Sequence, residues 1–197
     1  MKLYGAPMGS SGRTRWMIEE CGVPYEYEVV NLRDEATRAK YVAEVHPGGK
    51  IPYLIDGDVR LFESMAINYY LAERYKPELV PSDPVERAKA YQWSFWALSN
   101  LQPEALTALR HTVMLPPEKR DPAQAEAGKK GCRRFLDQLE AELAGEYLVG
   151  DRFTIADLNC GSVVNFPLRM GIEGGPKTSA WIERLRARPA YQKAAAG

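Results

Sequence analysis

The chain has 197 residues, and its 26 Lys and Arg balance its 26 Asp and Glu, so the formal net charge is zero. At roughly 100–200 residues per domain, this length allows one large domain or two small ones. The hydrophobic fraction of 45% and the charged fraction of 26% suit a soluble globular chain, one able to build a core without disulfide or metal staples. Neutrality argues against a whole-surface binder of nucleic acid or of an anionic membrane, but it leaves room for a local basic pocket.

Three cysteines, Cys21, Cys132 and Cys160, stand far apart, there is no CxxC, and the only histidines are His46 and His111. Neither a disulfide framework nor a metal site is expected from this set, and it fits a reducing compartment. The opening MKLYGAPMGSSGRTRW has no apolar leader core, and no apolar run approaches the ~18 residues of a spanning helix. The expectation is a cytoplasmic protein with no metal, no nucleic-acid partner and no membrane partner.

Lys2 to Gly5 is a short β-prone start, followed by loop signals from Ala6 to Gly12. Arg13 to Cys21 is a predicted helix, stopped by Gly22 with Pro24 just beyond. Tyr25 to Val29 alternates aromatic and charged residues at the period of a strand covered on one face. Together these are the parts of a βαβ unit. Asn31 to Glu44 is polar with weak helical character. His46-Pro47-Gly48-Gly49-Lys50-Ile51-Pro52 reads as a sharply bent loop. Tyr53–Ile55 and Val59–Phe62 flank Asp56-Gly57-Asp58 as a hairpin. Met65 to Tyr75 is a helical run with Ile67, Tyr70 and Leu71 on one face, and Ser64 is its natural N-cap. Pro77, Pro81 and Pro84 then mark the best boundary. The expected division is 1–76, a linker at 77–84, and 85–197.

Beyond the boundary no strand signal follows Phe62. Asp83-Pro84 supplies a cap and an N1 proline for a long helical run from Val85 to about Val113. That run holds Tyr91, Trp93, Phe95 and Trp96, and Pro103 predicts a kink or break in it. Leu115 to Pro122 is a loop. Ala123 to Leu143 is a second long helix, with Phe135, Leu136, Leu139 and Leu143 along one face. Thr178 to Arg188 is a final helix stopped at Pro189. Thr154-Ile155-Ala156-Asp157 has the spacing of a capping box, with Phe153 and Leu158 as its hydrophobic staple. Capping explains both polar groups, so Thr154 and Asp157 read as structural rather than catalytic. The fold class is α/β plus all-α.

The order and spacing of several short segments over essentially the whole chain resemble the cytosolic, bacterial-type glutathione transferases. The segments are Lys2 to Pro7, Arg15 through Gly22-Val23-Pro24-Tyr25, His46-Pro47 with Gly49-Lys50-Ile51-Pro52, Phe62 to Ile67 with Tyr70-Leu71, and Tyr147 to Asp157. The resemblance implies an N-terminal thioredoxin-like domain, a C-terminal helical bundle domain, glutathione as co-substrate and a homodimer. It implies a cis Ile51–Pro52 peptide, with the Ile51 backbone pairing the cysteinyl part of the tripeptide. Ser64 at a helix start would take the γ-glutamyl carboxylate and Glu63 the ammonium group. Lys50 and Arg13 are candidates for the glycyl carboxylate or for general positive potential, and both could be solvated surface charges.

Catalysis in this family needs a thiolate, stabilised by a hydroxyl and by backbone N–H groups at a helix start. Ser10 falls where the bacterial beta-type members carry their cysteine, counting back from Gly22 without a gap, and Ser11 is the alternative. Both serines could equally cap the first helix. With no cysteine in that loop, disulfide exchange is disfavoured. The electrophile would lie against the second domain, with Met8, Trp96, Asn100, Arg110 and His111 as candidates, although aromatic residues at helical spacing are more often core. The expected activity is attack of the glutathione thiolate on an electrophilic small molecule. The alternatives are a glutathione-dependent isomerase and a non-catalytic glutathione-fold protein.

Overall fold

The computed structural model describes residues 1–7 and 9–196. They gather into two compact units, Met1–Val80 with the segment from Arg188 onward, and Pro81–Ala187. In chain order the first unit contains β1 (Lys2–Gly5), α1 (Ser10–Cys21), β2 (Glu26–Val29), α2 (Glu35–Glu44), β3 (Tyr53–Asp56), β4 (Val59–Phe62) and α3 (Ser64–Tyr75). The sheet order is β2-β1-β3-β4. β1 and β2 are parallel, with Leu3 beside Tyr27, and β1 and β3 are antiparallel, with Leu3 beside Leu54. Both leucines are fully buried. The β3–β4 turn is made by Gly57 at a φ of 59°.

Helix α1 starts at Ser10, earlier than the sequence suggested. Gly9 takes the positive φ of 81° that begins it, so both serines lie inside the first turn and neither caps it. Trp16, Met17 and Ile18 are almost wholly enclosed.

The second unit is helical: α4 (Pro84–Trp96), α5 (Gln102–Leu109), α6 (Pro122–Glu142), α7 (Ile155–Arg169) and α8 (Pro176–Arg186). Pro103 does not break the run that leads from α4 into α5. A wide π turn over Ala97–Leu101 carries the chain through instead, with the Gln102 N–H donating to the Ala97 carbonyl. A proline lacks the N–H for an ordinary helical bond and crowds the carbonyl four residues back, and a widened turn relieves both problems. A second π turn spans Arg110–Met114.

α5 and α6 approach closely at Gly128, where an added Cβ would sit 2.5 Å from the Ala108 backbone nitrogen and 2.8 Å from the Glu104 carbonyl oxygen. Backbone cannot swing aside, so Gly128→Ala is expected to destabilise the chain by about 1–3 kcal/mol in denaturant melts. At Gly131 the crowding atoms belong to the flexible Glu104 side chain, so Gly131→Ala should be milder.

The capping box of α7 forms as read from the sequence. Asp157 Oδ2 accepts from the Thr154 N–H at 2.9 Å, and the Thr154 hydroxyl accepts from the Ala156 N–H at 3.3 Å. Asp157 does more than cap. Its Oδ1 also accepts from the Leu148 N–H and from the Trp181 indole N–H, both at 2.9 Å.

Pro189 does not end the helical chain. It is the first residue of α9 (Pro189–Ala196), which packs on α1 and belongs to the first unit. A proline that stops one helix is also well suited to the N1 position of the next. Arg188 anchors this segment through Nε and Nη2, at 2.6 and 2.8 Å from the two carboxylate oxygens of buried Glu20. The Trp16 indole N–H donates to the same carboxylate at 3.0 Å, and Tyr191 meets Trp16 edge-on.

Candidate active site

Three chain segments of the first unit bring the candidate residues together: the start of α1, the bent loop before β3, and the turn from β4 into α3. The loop is held from below. Tyr41 donates to the Lys50 carbonyl at 2.9 Å, and His46 is stacked 4.6 Å from Tyr53 and 5.3 Å from Phe62. Gly48 lies against the His46 ring so closely that a Cβ would meet Nε2 at 2.7 Å. The Ile51–Pro52 peptide bond is cis. The Ile51 side chain packs on the cluster of Tyr4, Val30, Tyr41 and Tyr53. Lys50 is exposed.

The two serines of α1 have different surroundings. Ser10 is partly exposed, and its hydroxyl donates to the Ile51 carbonyl at 3.4 Å. Ser11 is 1% exposed and accepts from the Ala6 N–H at 3.1 Å. The first hydroxyl therefore meets the loop that carries the cis bond, while the second is used inside the fold.

At the third segment, Glu63 has a φ of 68°, the only positive value for a non-glycine residue among the described ones. Such a conformation costs a side-chain-bearing residue about 1 kcal/mol or more, and it commonly marks functional turns. Here it turns β4 directly into α3. Glu63, rather than Ser64, occupies the N-cap, and Ser64 is the first helical residue. The Ser64 hydroxyl makes no cap; it accepts from Arg13 Nη1 at 3.3 Å. Arg13 is no surface charge: it is 3% exposed. Burial pulls its pKa down to about 10, with the Glu63 carboxylate opposing that pull, so it remains a cation at neutral pH. A buried guanidinium, a hydroxyl and a helix N-terminus thus converge on one place, an arrangement suited to a carboxylate.

Of the residues offered for the electrophile, Met8 lies outside the described residues. Trp96 is 8% exposed and turned into the interior of the helical unit. Its indole N–H donates to Gln138 at 3.0 Å, and it meets Trp93 and Phe135 edge-on. It is core, as aromatic residues at helical spacing usually are. Asn100 and Arg110 are exposed on the helical unit. His111 Nδ1 accepts from the Asp121 N–H at 3.1 Å, at the entry to α6. That bond leaves Nε2 to carry the proton of the neutral ring, so His111 ties down a loop and presents a donor rather than a base.

Sequence reasoning missed Tyr41 and Tyr27. The Tyr27 hydroxyl donates to the Ala6 carbonyl at 2.6 Å. The alternation of Tyr25 and Tyr27 with glutamates marked a strand, but not which backbone group a phenol on it would reach.

The glutathione S-transferase N-terminal domain family matches residues 1–73, and the glutathione S-transferase C-terminal domain family matches residues 102–189. The chain is 34% identical to glutathione S-transferase 3 of Zea mays, covering 100% of this chain and 93% of that protein. It is 31% identical to GstB of Escherichia coli, covering 89% and 88%. Among solved structures it is similar to the theta class glutathione S-transferase of Xanthomonas axonopodis with glutathione bound, at 34% identity and a TM-score of 0.87, covering 100% and 97%. The chain belongs to the glutathione S-transferase family.

Proposed function

We propose that the first unit binds glutathione and that Ser10 stabilises its thiolate for attack on an electrophilic small molecule. The observation that carries this reading is the position of the Ser10 hydroxyl, partly exposed in the first turn of α1 and 3.4 Å from the Ile51 carbonyl. A tripeptide whose cysteinyl backbone pairs with Ile51 along the segment leading to Pro52 brings its sulfur toward that hydroxyl. The γ-glutamyl carboxylate suits Ser64 together with Arg13, and its ammonium group suits Glu63. Arg13 is thereby reassigned from the glycyl end to the γ-glutamyl end, and exposed Lys50 remains for the glycyl carboxylate. Asn100 and Arg110 are the exposed residues left for the electrophile. A homodimer in the cytoplasm accompanies this reading, and the three free thiols fit a reducing compartment.

Thiolate stabilisation has a direct readout. Parent protein is expected to bind glutathione at millimolar concentration and to hold its thiol pKa below the free value of about 8.5. Ser10→Ala should keep binding, raise that pKa and lower kcat by about 100-fold, the scale of losing one anion-stabilising donor. The checks are the ultraviolet thiolate absorbance titrated against pH and turnover of chlorodinitrobenzene. No binding at millimolar glutathione would sink the proposal. Binding with an unshifted thiol favours a non-catalytic glutathione-fold protein instead.

A further inference from the structure

The backbone of Ala6 is gripped on both sides by side chains from different elements. Its N–H donates to Ser11 Oγ at 3.1 Å, and its carbonyl accepts from the Tyr27 hydroxyl at 2.6 Å. The Tyr27 oxygen and the Ser11 side chain both lie over Gly5. Ala6 is thus fixed at its N–H by α1 and at its carbonyl by β2, and a slip at either bond disturbs the other.

Two neighbours preserve this arrangement. Gly5 has no side chain where a Cβ would stand 2.7 Å from the Tyr27 oxygen and 2.8 Å from Ser11 Cβ. The Arg15 guanidinium, 6% exposed, lies 4.7 Å from the centre of the Tyr27 ring, a cation–π contact strengthened by burial. Arg15 is not otherwise well spent: its Nη1 is buried with no hydrogen-bond partner, and its Nε reaches Tyr25 only at 3.5 Å. The phenol ring is what it principally holds.

We infer that Tyr27, through Ser11 and the Ala6 backbone, is a positioning residue for the Ser10 hydroxyl. Ser11 is covalently next to Ser10, so fixing Ser11 to Ala6 fixes the first turn of α1, and with it the direction of the neighbouring hydroxyl toward Ile51. Thiolate stabilisation falls steeply with misplacement of the donor, so a side chain that never touches glutathione controls the ionisation of its thiol. This inference rests on the role proposed for Ser10.

The test compares Tyr27→Phe and Ser11→Ala with the parent and with Ser10→Ala. It uses the thiolate absorbance of bound glutathione against pH, chlorodinitrobenzene kinetics and thermal melts. Each substitution releases the Ala6 backbone at a different atom. Both are expected to lower kcat by about tenfold and to raise the bound-thiol pKa by about one unit, with KM for glutathione within about twofold of the parent. Combining either with Ser10→Ala should bring no further rise in that pKa. If both single variants keep the parental thiol pKa while Ser10→Ala shifts it, the inference is overturned and the Ser10 assignment stands. A combined shift larger than that of Ser10→Ala alone also overturns it. If Tyr27→Phe does not fold, Ser11→Ala decides by the same criteria. A Ser10→Ala protein with the parental thiol pKa removes the role of Ser10 and this inference together.

Discussion

Asp157→Ala is expected to lower stability by about 4 kcal/mol, the largest single effect anticipated from any substitution in the helical unit. The carboxylate is fully buried and accepts four hydrogen bonds, from the Leu148 and Thr154 N–H groups, the Thr154 hydroxyl and the Trp181 indole. Burial pushes its carboxyl above the usual range, and these donors push back. Alanine strands the buried N–H groups of Thr154 and Trp181, each worth about 1–3 kcal/mol when left unmet, and the partly buried N–H of Leu148. It also leaves a void beside Trp181, which is itself fully enclosed. For a chain of this size the melting temperature should fall by roughly 8–16 °C. Asp157→Asn is the informative companion. Its amide oxygen can keep the bonds to Leu148 and Trp181, but its NH2 group then faces the Thr154 N–H, donor against donor. It should lose about half as much, roughly 2 kcal/mol. Equal losses in the two variants, measured by denaturant titration, would show that the hydrogen bonds are not what matters there.

The second large effect belongs to Arg188→Ala, with an expected loss of about 3 kcal/mol. Glu20 keeps only 4% of its side-chain surface and Arg188 29%. Removing the cation leaves a buried carboxylate facing one remaining partner, the Trp16 indole. The figure sits at the low end for buried pairs because water reaches the arginine. Glu20→Gln should partly rescue Arg188→Ala, since an amide tolerates burial without the cation. A double-mutant cycle in denaturant, together with proteolysis of the segment after Ala187, checks both the energy and its location. If Arg188→Ala melts like the parent, the pair does not secure α9.

The positions of these hubs explain what the sequence could and could not reveal. The capping box was legible because its partners lie three residues apart and helix geometry brings them together. Trp181 as a partner of Asp157, and Arg188 as a partner of Glu20, were not, because nothing local encodes a contact across 24 or 168 residues. The hairpin around Gly57 was legible from its turn residues. Helix α9 is hidden in the sequence because Pro189 marks a stop, although the same ring geometry favours a start. The two serines of α1 were indistinguishable as letters. Their difference comes from the Ala6 N–H, which takes the Ser11 hydroxyl inside the fold while Ser10 stays partly exposed. His46 was visible within its motif, but its stacking beneath the loop depends on Tyr53 and Phe62 facing each other across the hairpin.

The return of α9 to α1 bears on how the chain is made. The first unit is discontinuous in sequence, with more than a hundred residues of the other unit interposed between its two parts. During synthesis the sheet and α1 to α3 emerge early, yet α9 can pack on the face of α1 carrying Trp16 and Glu20 only once the segment after Ala187 has been made. For that interval Glu20 lacks its Arg188 partner and Trp16 its edge contact with Tyr191. The first unit therefore closes only after the whole of the helical unit has been synthesised.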